Sequence, residues 1–205
     1  MITIIDYNTG NLGRIKNMLK HLGISSQITN DKEVIEKAEK LILPGVGHFD
    51  YGMQQLNKSN LIPLLNKKVL EDKTPILGIC LGVQLFTEYS EEGTEKGLGW
   101  IKGKTISFDK SKLSSNQKIP NMGWADVYDY KQSKLFENMP EDPRFYFVHS
   151  YHLELDNPTD FLVTSNYGYE FAAGIEHENL LGVQFHPEKS HKYGMKMLEN
   201  FANNY

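Results

Sequence analysis

Apolar positions in the first ninety residues follow two alternating patterns. Short runs at residues 2–7, 41–43 and 75–80 read as buried strands. Between them the apolar residues recur at helical spacing. Leu12, Ile15, Leu19 and Leu22 precede a terminating Gly23, and Val34, Ile35 and Ala38 follow a capping Asp31. Met53 and Leu56 predict a short helix. Leu61, Leu64, Leu65 and Val69 predict another behind a capping Asn60. Residues 27–29 are a weak strand, residues 44–47 break the strand before them, and a helix runs from Leu81 to about Glu88. Strand alternating with helix calls for a parallel sheet covered on both faces. In such sheets functional groups gather beyond the C-terminal strand ends. That places residues 8–11, residues 45–47 and Cys80 on one edge.

The pattern changes after Gly93. Strand-like runs follow at residues 100–108, 124–130, 144–151, 161–164, 171–175 and 180–185, with a polar, Ser-rich loop at 110–118. Successive strands with short turns predict an antiparallel extension of the sheet. Met195, Leu198 and Phe201 lie on one face of a final helix. The expected fold is a single α/β domain, residues 1–205, with a mostly parallel central sheet flanked by helices and an antiparallel extension.

Composition narrows the function. The 205 residues, 40% hydrophobic and 23% charged, suffice for one core. A net charge of −4 provides no basic footprint for nucleic acid. No window approaches the ~20 apolar residues of a membrane span, and the N-terminus lacks signal-peptide features. A single cysteine excludes an intrachain disulfide and a cysteine-cluster metal site. The seven histidines show no ligand-like spacing. The expectation is a cytoplasmic protein without metal or cofactor.

That cysteine lies in Gly78-Ile79-Cys80-Leu81-Gly82, at the end of an apolar run. This is the cysteine counterpart of a nucleophile elbow, a strand turning sharply into a helix. A helix N-terminus would favour the thiolate. The competing reading is a small, buried, inert cysteine. A second strand ends in Phe185-His186-Pro187-Glu188. His186 suits a base, and Pro187 restricts it to extended conformations. Glu188, two residues on, would point to the same side and accept the other imidazole N–H. His149 ends a further strand and is placed near the site.

Together these two motifs resemble the class-I, triad-type glutamine amidotransferases. Residues 6–12, 44–49, 120–124 and 146–151 are similar, more narrowly, to the glutaminase subunits of imidazole glycerol phosphate synthases. The resemblance runs nearly end to end and implies a flavodoxin-like fold of that type. It implies hydrolysis of glutamine to glutamate and ammonia. The ammonia would be channelled to a HisF-type (βα)8-barrel synthase subunit in a heterodimer. There PRFAR becomes imidazole glycerol phosphate and AICAR, the fifth step of histidine biosynthesis. Carried over, Cys80 is the nucleophile, His186 the proton carrier and Glu188 its orienter. Backbone N–H groups around Val46 and Gly47, with that of Leu81, would form the oxyanion hole. Gly45, Gln84, His149, Ser150 and Tyr151 would line the glutamine pocket. Asn11, Asn121, Trp124 and Lys189 would face the partner. The resemblance further implies an oxyanion loop misarranged until the partner's substrate binds, and hence little activity alone.

Two positions depart from the pattern. Asn121 stands where a histidine is usual, and Ala125 where an asparagine is usual, both at the expected interface. Two other readings therefore stay open. One is a glutaminase of the same kind feeding a sugar amidotransferase in surface-polysaccharide biosynthesis. The other is a catalytically silent binding module.

Overall fold

A computed structural model describes residues 1–205. The first half comprises β1 (Ile2–Ile5), α1 (Leu12–His21), β2 (Ser26–Thr29), α2 (Lys32–Glu36), β3 (Lys40–Gly45), α3 (Phe49–Lys58), α4 (Ile62–Asn66), β4 (Ile76–Cys80) and α5 (Leu81–Gln84). The second half comprises β5 (Tyr89–Ser90), β6 (Gly103–Ser107), β7 (Asn121–Asp126), β8 (Tyr128–Asp129), β9 (Arg144–His149), β10 (Tyr151–Leu155), β11 (Phe161–Asn166), β12 (Glu170–His177), β13 (Leu180–Val183) and α6 (His191–Asn204).

Strands β2-β1-β3-β4-β13 are parallel neighbours in that order. Antiparallel β12, β10 and β6 extend the sheet, β11 and β8 branch from β12, and β7 pairs with β9 in a separate ribbon. The expected architecture is therefore present. Its decisive feature is β13, which is last of the strands in sequence yet lies directly beside β4. Whatever follows β13 meets whatever follows β4. Period-two alternation sends Leu77 and Ile79 into one core with Phe145, Phe147, Phe185, Leu198 and Phe201. Ile76, Leu41 and Leu43 enter the other, with Phe49, Leu65, Phe86 and Trp100. No helix is long and apolar enough to cross a membrane.

Several local expectations are corrected. Pro44 does not break β3, which continues to Gly45 in register with Cys80. Leu41 donates toward the β4 side, so the missing Pro44 N–H falls on the β1 side, where pairing ended at Ile42. Asn60 does not cap α4. It stands just past the end of α3 at φ +53, with Asn60 N bonding Asn57 O and Leu61 N bonding Leu56 O, a Schellman ending. Gly23 ends α1 in the same way. The helix expected over 81–88 stops at Gln84, because residues 97–101 capture the carbonyls of Leu85, Phe86, Thr87 and Glu88. The strand expected over 144–151 divides at Ser150, where the chain leaves the β7–β9 ribbon for the main sheet. On α6 Met197, not Met195, joins Leu198 and Phe201 in the core.

Candidate active site

Cys80 ends β4 with φ 54 and ψ −112, outside the conformations a non-glycine residue usually adopts. The glycines around it explain how so sharp a turn packs. A Cβ on Gly82 would lie 1.8 Å from the Leu43 carbonyl oxygen, and one on Gly78 would lie 2.8 Å from Val83 Cα. α5 is thus pressed onto β3 and β4. Leu81 opens it, so its N–H has no acceptor within the helix. Because α5 is a single turn, its dipole is a weak support for a thiolate, and that support has to come from side chains.

His186 follows β13, and its Nδ1 lies 2.8 Å from Glu188 Oε1, both side chains being buried. The backbone there is held by His186 N donating to Tyr146 O, and by Ser190 Oγ donating to His186 O while accepting from Tyr146 N. His186 is extended, as Pro187 requires, but residues 187–189 form a 3-10 turn. The carboxylate therefore reaches the ring by a turn rather than along a strand. Burial opposes charging of the imidazole, but the adjacent Cys80 sulfur and the Glu188 carboxylate outweigh it and raise the pKa to about 9. The Cys80 sulfur and the Glu188 carboxylate thus favour the doubly protonated ring, and Nε2 makes no hydrogen bond within the protein.

A cavity of about 330 Å³ opens over Cys80 and His186. Val46, Gly47, Leu81, Gln84, His149, Ser150 and Tyr151 line it, together with Glu92, Pro120 and Val148. Gly45 does not face it. Gly45 packs beneath, where a Cβ would come 2.6 Å from the Tyr7 hydroxyl and 2.9 Å from Leu81 Cβ. His149 lines the cavity with its ring, but neither nitrogen is free for a ligand. Nδ1–H donates to Tyr151 O at 2.8 Å, and Nε2 accepts from Asn121 Nδ2 at 3.1 Å. Burial pushes its pKa down to about 3, which keeps the ring neutral.

The loop expected to stabilise an oxyanion is otherwise engaged. Val46 N–H donates to Thr9 Oγ1 at 3.1 Å, and that hydroxyl donates to Val46 O at 3.0 Å. The Val46 donor is thus turned toward Thr9 rather than toward the sulfur.

Two polar side chains at the site carried no sequence signal. Glu92 sits in a loop that reads only as a turn. Its Oε2 accepts from Phe49 N at 2.8 Å, while its other oxygen makes no bond within the protein. The loop is pinned by Asp50, which accepts from the N–H groups of Glu95 and Thr94, bonds that hold its carboxyl below the usual range. A Cβ on Gly93 would meet Asp50 Oδ1 at 1.9 Å, so a side chain there would displace the carboxylate that pins the loop. The other is Gln184, a fully buried residue that reads as strand interior.

Outside the cavity, β7 turns its large apolar residues outward. Met122 is 62% and Trp124 41% exposed. Trp124 stacks on His191, and Lys189 Nζ lies 5.5 Å over the Tyr146 ring, in one groove with Arg14. Asn11 begins α1 on the same edge, with its side chain uncapped. Asn121 and Ala125 correct the expectation, because they lie on the opposite face of β7. Asn121 is buried against His149, and Ala125 packs on the core. Neither side chain shares the outer face of β7 with Met122 and Trp124.

A family model described as class-I glutamine amidotransferase matches residues 3–205. The chain is 55% identical over 201 residues to imidazole glycerol phosphate synthase subunit HisH 2 of Methanococcus maripaludis, covering 98% of each chain. It is 45% identical to subunit HisH 2 of Pseudomonas aeruginosa, again over 98% of each, and 46% identical to subunit HisH 1 of M. maripaludis. Among solved structures, PurLQS from Thermotoga maritima shares the fold with a TM-score of 0.74 at 20% identity, over 99% of this chain and 97% of that one.

Proposed function

The chain belongs to the class-I glutamine amidotransferase family, and from that premise we propose that it is the glutaminase subunit of an imidazole glycerol phosphate synthase. It hydrolyses glutamine to glutamate and ammonia. A (βα)8-barrel synthase partner receives the ammonia and converts PRFAR to imidazole glycerol phosphate and AICAR. The observation that carries the glutaminase reading is the convergence of Cys80 and His186 at one cavity from strands a hundred residues apart, with Glu188 behind the cavity on His186 Nδ1.

In this reading the Cys80 sulfur attacks the side-chain carbonyl carbon of glutamine. The carbonyl oxygen gains negative charge beside the Leu81 N–H, where each such donor is worth ~2.7–4 kcal/mol. His186 gives the Nε2 proton to the departing nitrogen, the C–N bond breaks, and ammonia leaves a thioester. Water, deprotonated by the same nitrogen, then cleaves the thioester to glutamate and regenerates Cys80. Glu188 holds the ring and supports its charge throughout. The free Glu92 oxygen and the Gln84 carboxamide oxygen suit the amino group at the amino-acid end of the substrate. Glu92→Gln should therefore raise KM for glutamine about tenfold while moving kcat little, since a hydrogen bond to a charged group is worth ~1.5–3 kcal/mol. An unchanged KM in steady-state assays would confine Glu92 to bracing Phe49.

Identity near one half over 98% of both chains supports the partner assignment, as does the outward apolar face of Met122 and Trp124 beside Lys189. Mixing the chain with a histidine-pathway barrel subunit tests it. Glutamine hydrolysis should rise when PRFAR is added, and an absence of stimulation would remove this assignment. A second reading is ammonia supply to a sugar amidotransferase. M. maripaludis carries two relatives of this chain, HisH 1 and HisH 2, at 46% and 55% identity, so one organism holds more than one subunit of this kind. Stimulation by a sugar amidotransferase, and not by PRFAR and a barrel, would select it.

A further inference from the structure

Gln184 lies two residues before His186, with its side chain entirely out of solvent. Its carboxamide belongs to a short chain of bonds whose direction is settled by one end. The Tyr151 carbonyl can only accept, so the Gln84 atom 3.1 Å from it is the amide nitrogen. That nitrogen also lies 3.0 Å from Gln184, which must present its oxygen there. The Gln184 NH2 group is therefore left facing the Cys80 sulfur, at 3.8 Å.

We propose that Gln184 is a fourth member of the catalytic constellation: its carboxamide N–H donates to the Cys80 sulfur, aiming it into the cavity and favouring its thiolate, with Gln84 as the brace that fixes the amide's orientation. The need for such a donor follows from the elbow. The single-turn α5 offers little dipole support, and the Val148 carbonyl, 4.0 Å from the sulfur, is an acceptor that favours the protonated thiol. His186 provides the opposing positive charge, yet it must turn its proton toward the leaving nitrogen during the reaction. Gln184 carries no titrating proton and does not move in the cycle, so it supports the sulfur through both halves. Gln84 also lines the cavity, so the brace and the substrate pocket share one side chain. The inference rests on Cys80 being the nucleophile.

The protein has no other cysteine, so alkylation by iodoacetamide reads this sulfur alone. The rate is followed against pH for the wild-type chain, Gln184→Met and Gln184→Glu. Methionine keeps the length and removes the donor. Glutamate keeps an acceptor for Gln84 and removes the N–H. In both variants the midpoint of the alkylation profile should move up by about one pH unit, with a fall of about tenfold below the midpoint and the same plateau at high pH. A purely structural role would lower the melting temperature and leave the midpoint in place. An unchanged midpoint in either folded variant overturns the proposal, and if the methionine variant does not fold, Gln184→Leu, which removes the N–H without adding a charge, decides. The profile needs no glutamine, so it fails independently of the glutaminase reading, which the loss of turnover in Cys80→Ala tests.

Discussion

Replacing Cys80 with Ala should abolish ammonia release from glutamine, by on the order of 10⁴-fold to 10⁶-fold in kcat, while leaving the fold intact. The size of the effect follows from what remains. Alanine keeps the Cβ and hence the backbone demands already met at φ 54. Gly78 and Gly82 still allow α5 to press onto β3 and β4. Glutamine would still find the cavity, but without a sulfur there is no thioester, and a poorly placed water must displace ammonia unaided. The melting temperature and glutamine affinity should be near those of the wild type. Ammonia assays with and without a barrel partner measure the outcome. Turnover that survived the substitution would sink the covalent mechanism and restore the silent binding module as a reading.

The contrast between what the sequence reveals here and what it hides has physical causes. Cys80 is legible because a strand that turns at a nucleophile needs glycines on both sides, and His186 because a proline and a carboxylate follow it at fixed spacing. Both ends are local, and only the position of β13 beside β4 was needed to join them. Glu92 is not legible, because a carboxylate in a polar loop resembles any solvated charge. Its one trace is Gly93, crowded by Asp50. Gln184 resembles strand interior for the same reason that it matters, which is its complete burial.

The β7 register misleads in the opposite direction. Alternation alone would send Met122 and Trp124 inward as the apolar face. They point outward, while Asn121 and Ala125 point inward. An inverted strand that exposes its largest apolar side chains is the pattern of a surface awaiting a partner. The departures at 121 and 125 belong to the inner packing of His149 and the core, where a side-chain amide on the His149 Nε2 is a complete solution.

Thr9→Val should raise the partner-free glutaminase rate about tenfold to a hundredfold. The Thr9 hydroxyl makes two bonds to Val46, one from its N–H and one to its carbonyl. Each is worth ~0.5–1.5 kcal/mol net, and together they favour the orientation in which the Val46 N–H is lost to the cavity. Valine keeps the shape and removes both bonds. The freed N–H then gains most by turning toward the substrate oxygen, as an oxyanion donor would. A partner for the reversed peptide is already in place. The Tyr7 hydroxyl is buried beside Gly45 without any hydrogen bond, and burial holds its proton on far above the ordinary pKa. It can donate to the Gly45 carbonyl once that group swings inward. Tyr7→Phe should therefore act in the opposite sense, lowering the partner-stimulated rate with little change in the basal one. Thr9→Ser, which keeps the hydroxyl, should behave as wild type. If valine raises the basal rate while the stimulated rate holds, the ratio of the two falls, and the latch accounts for part of the partner dependence. A basal rate that stayed level or dropped in Thr9→Val would mean that the Thr9 hydroxyl supports the loop rather than restraining it.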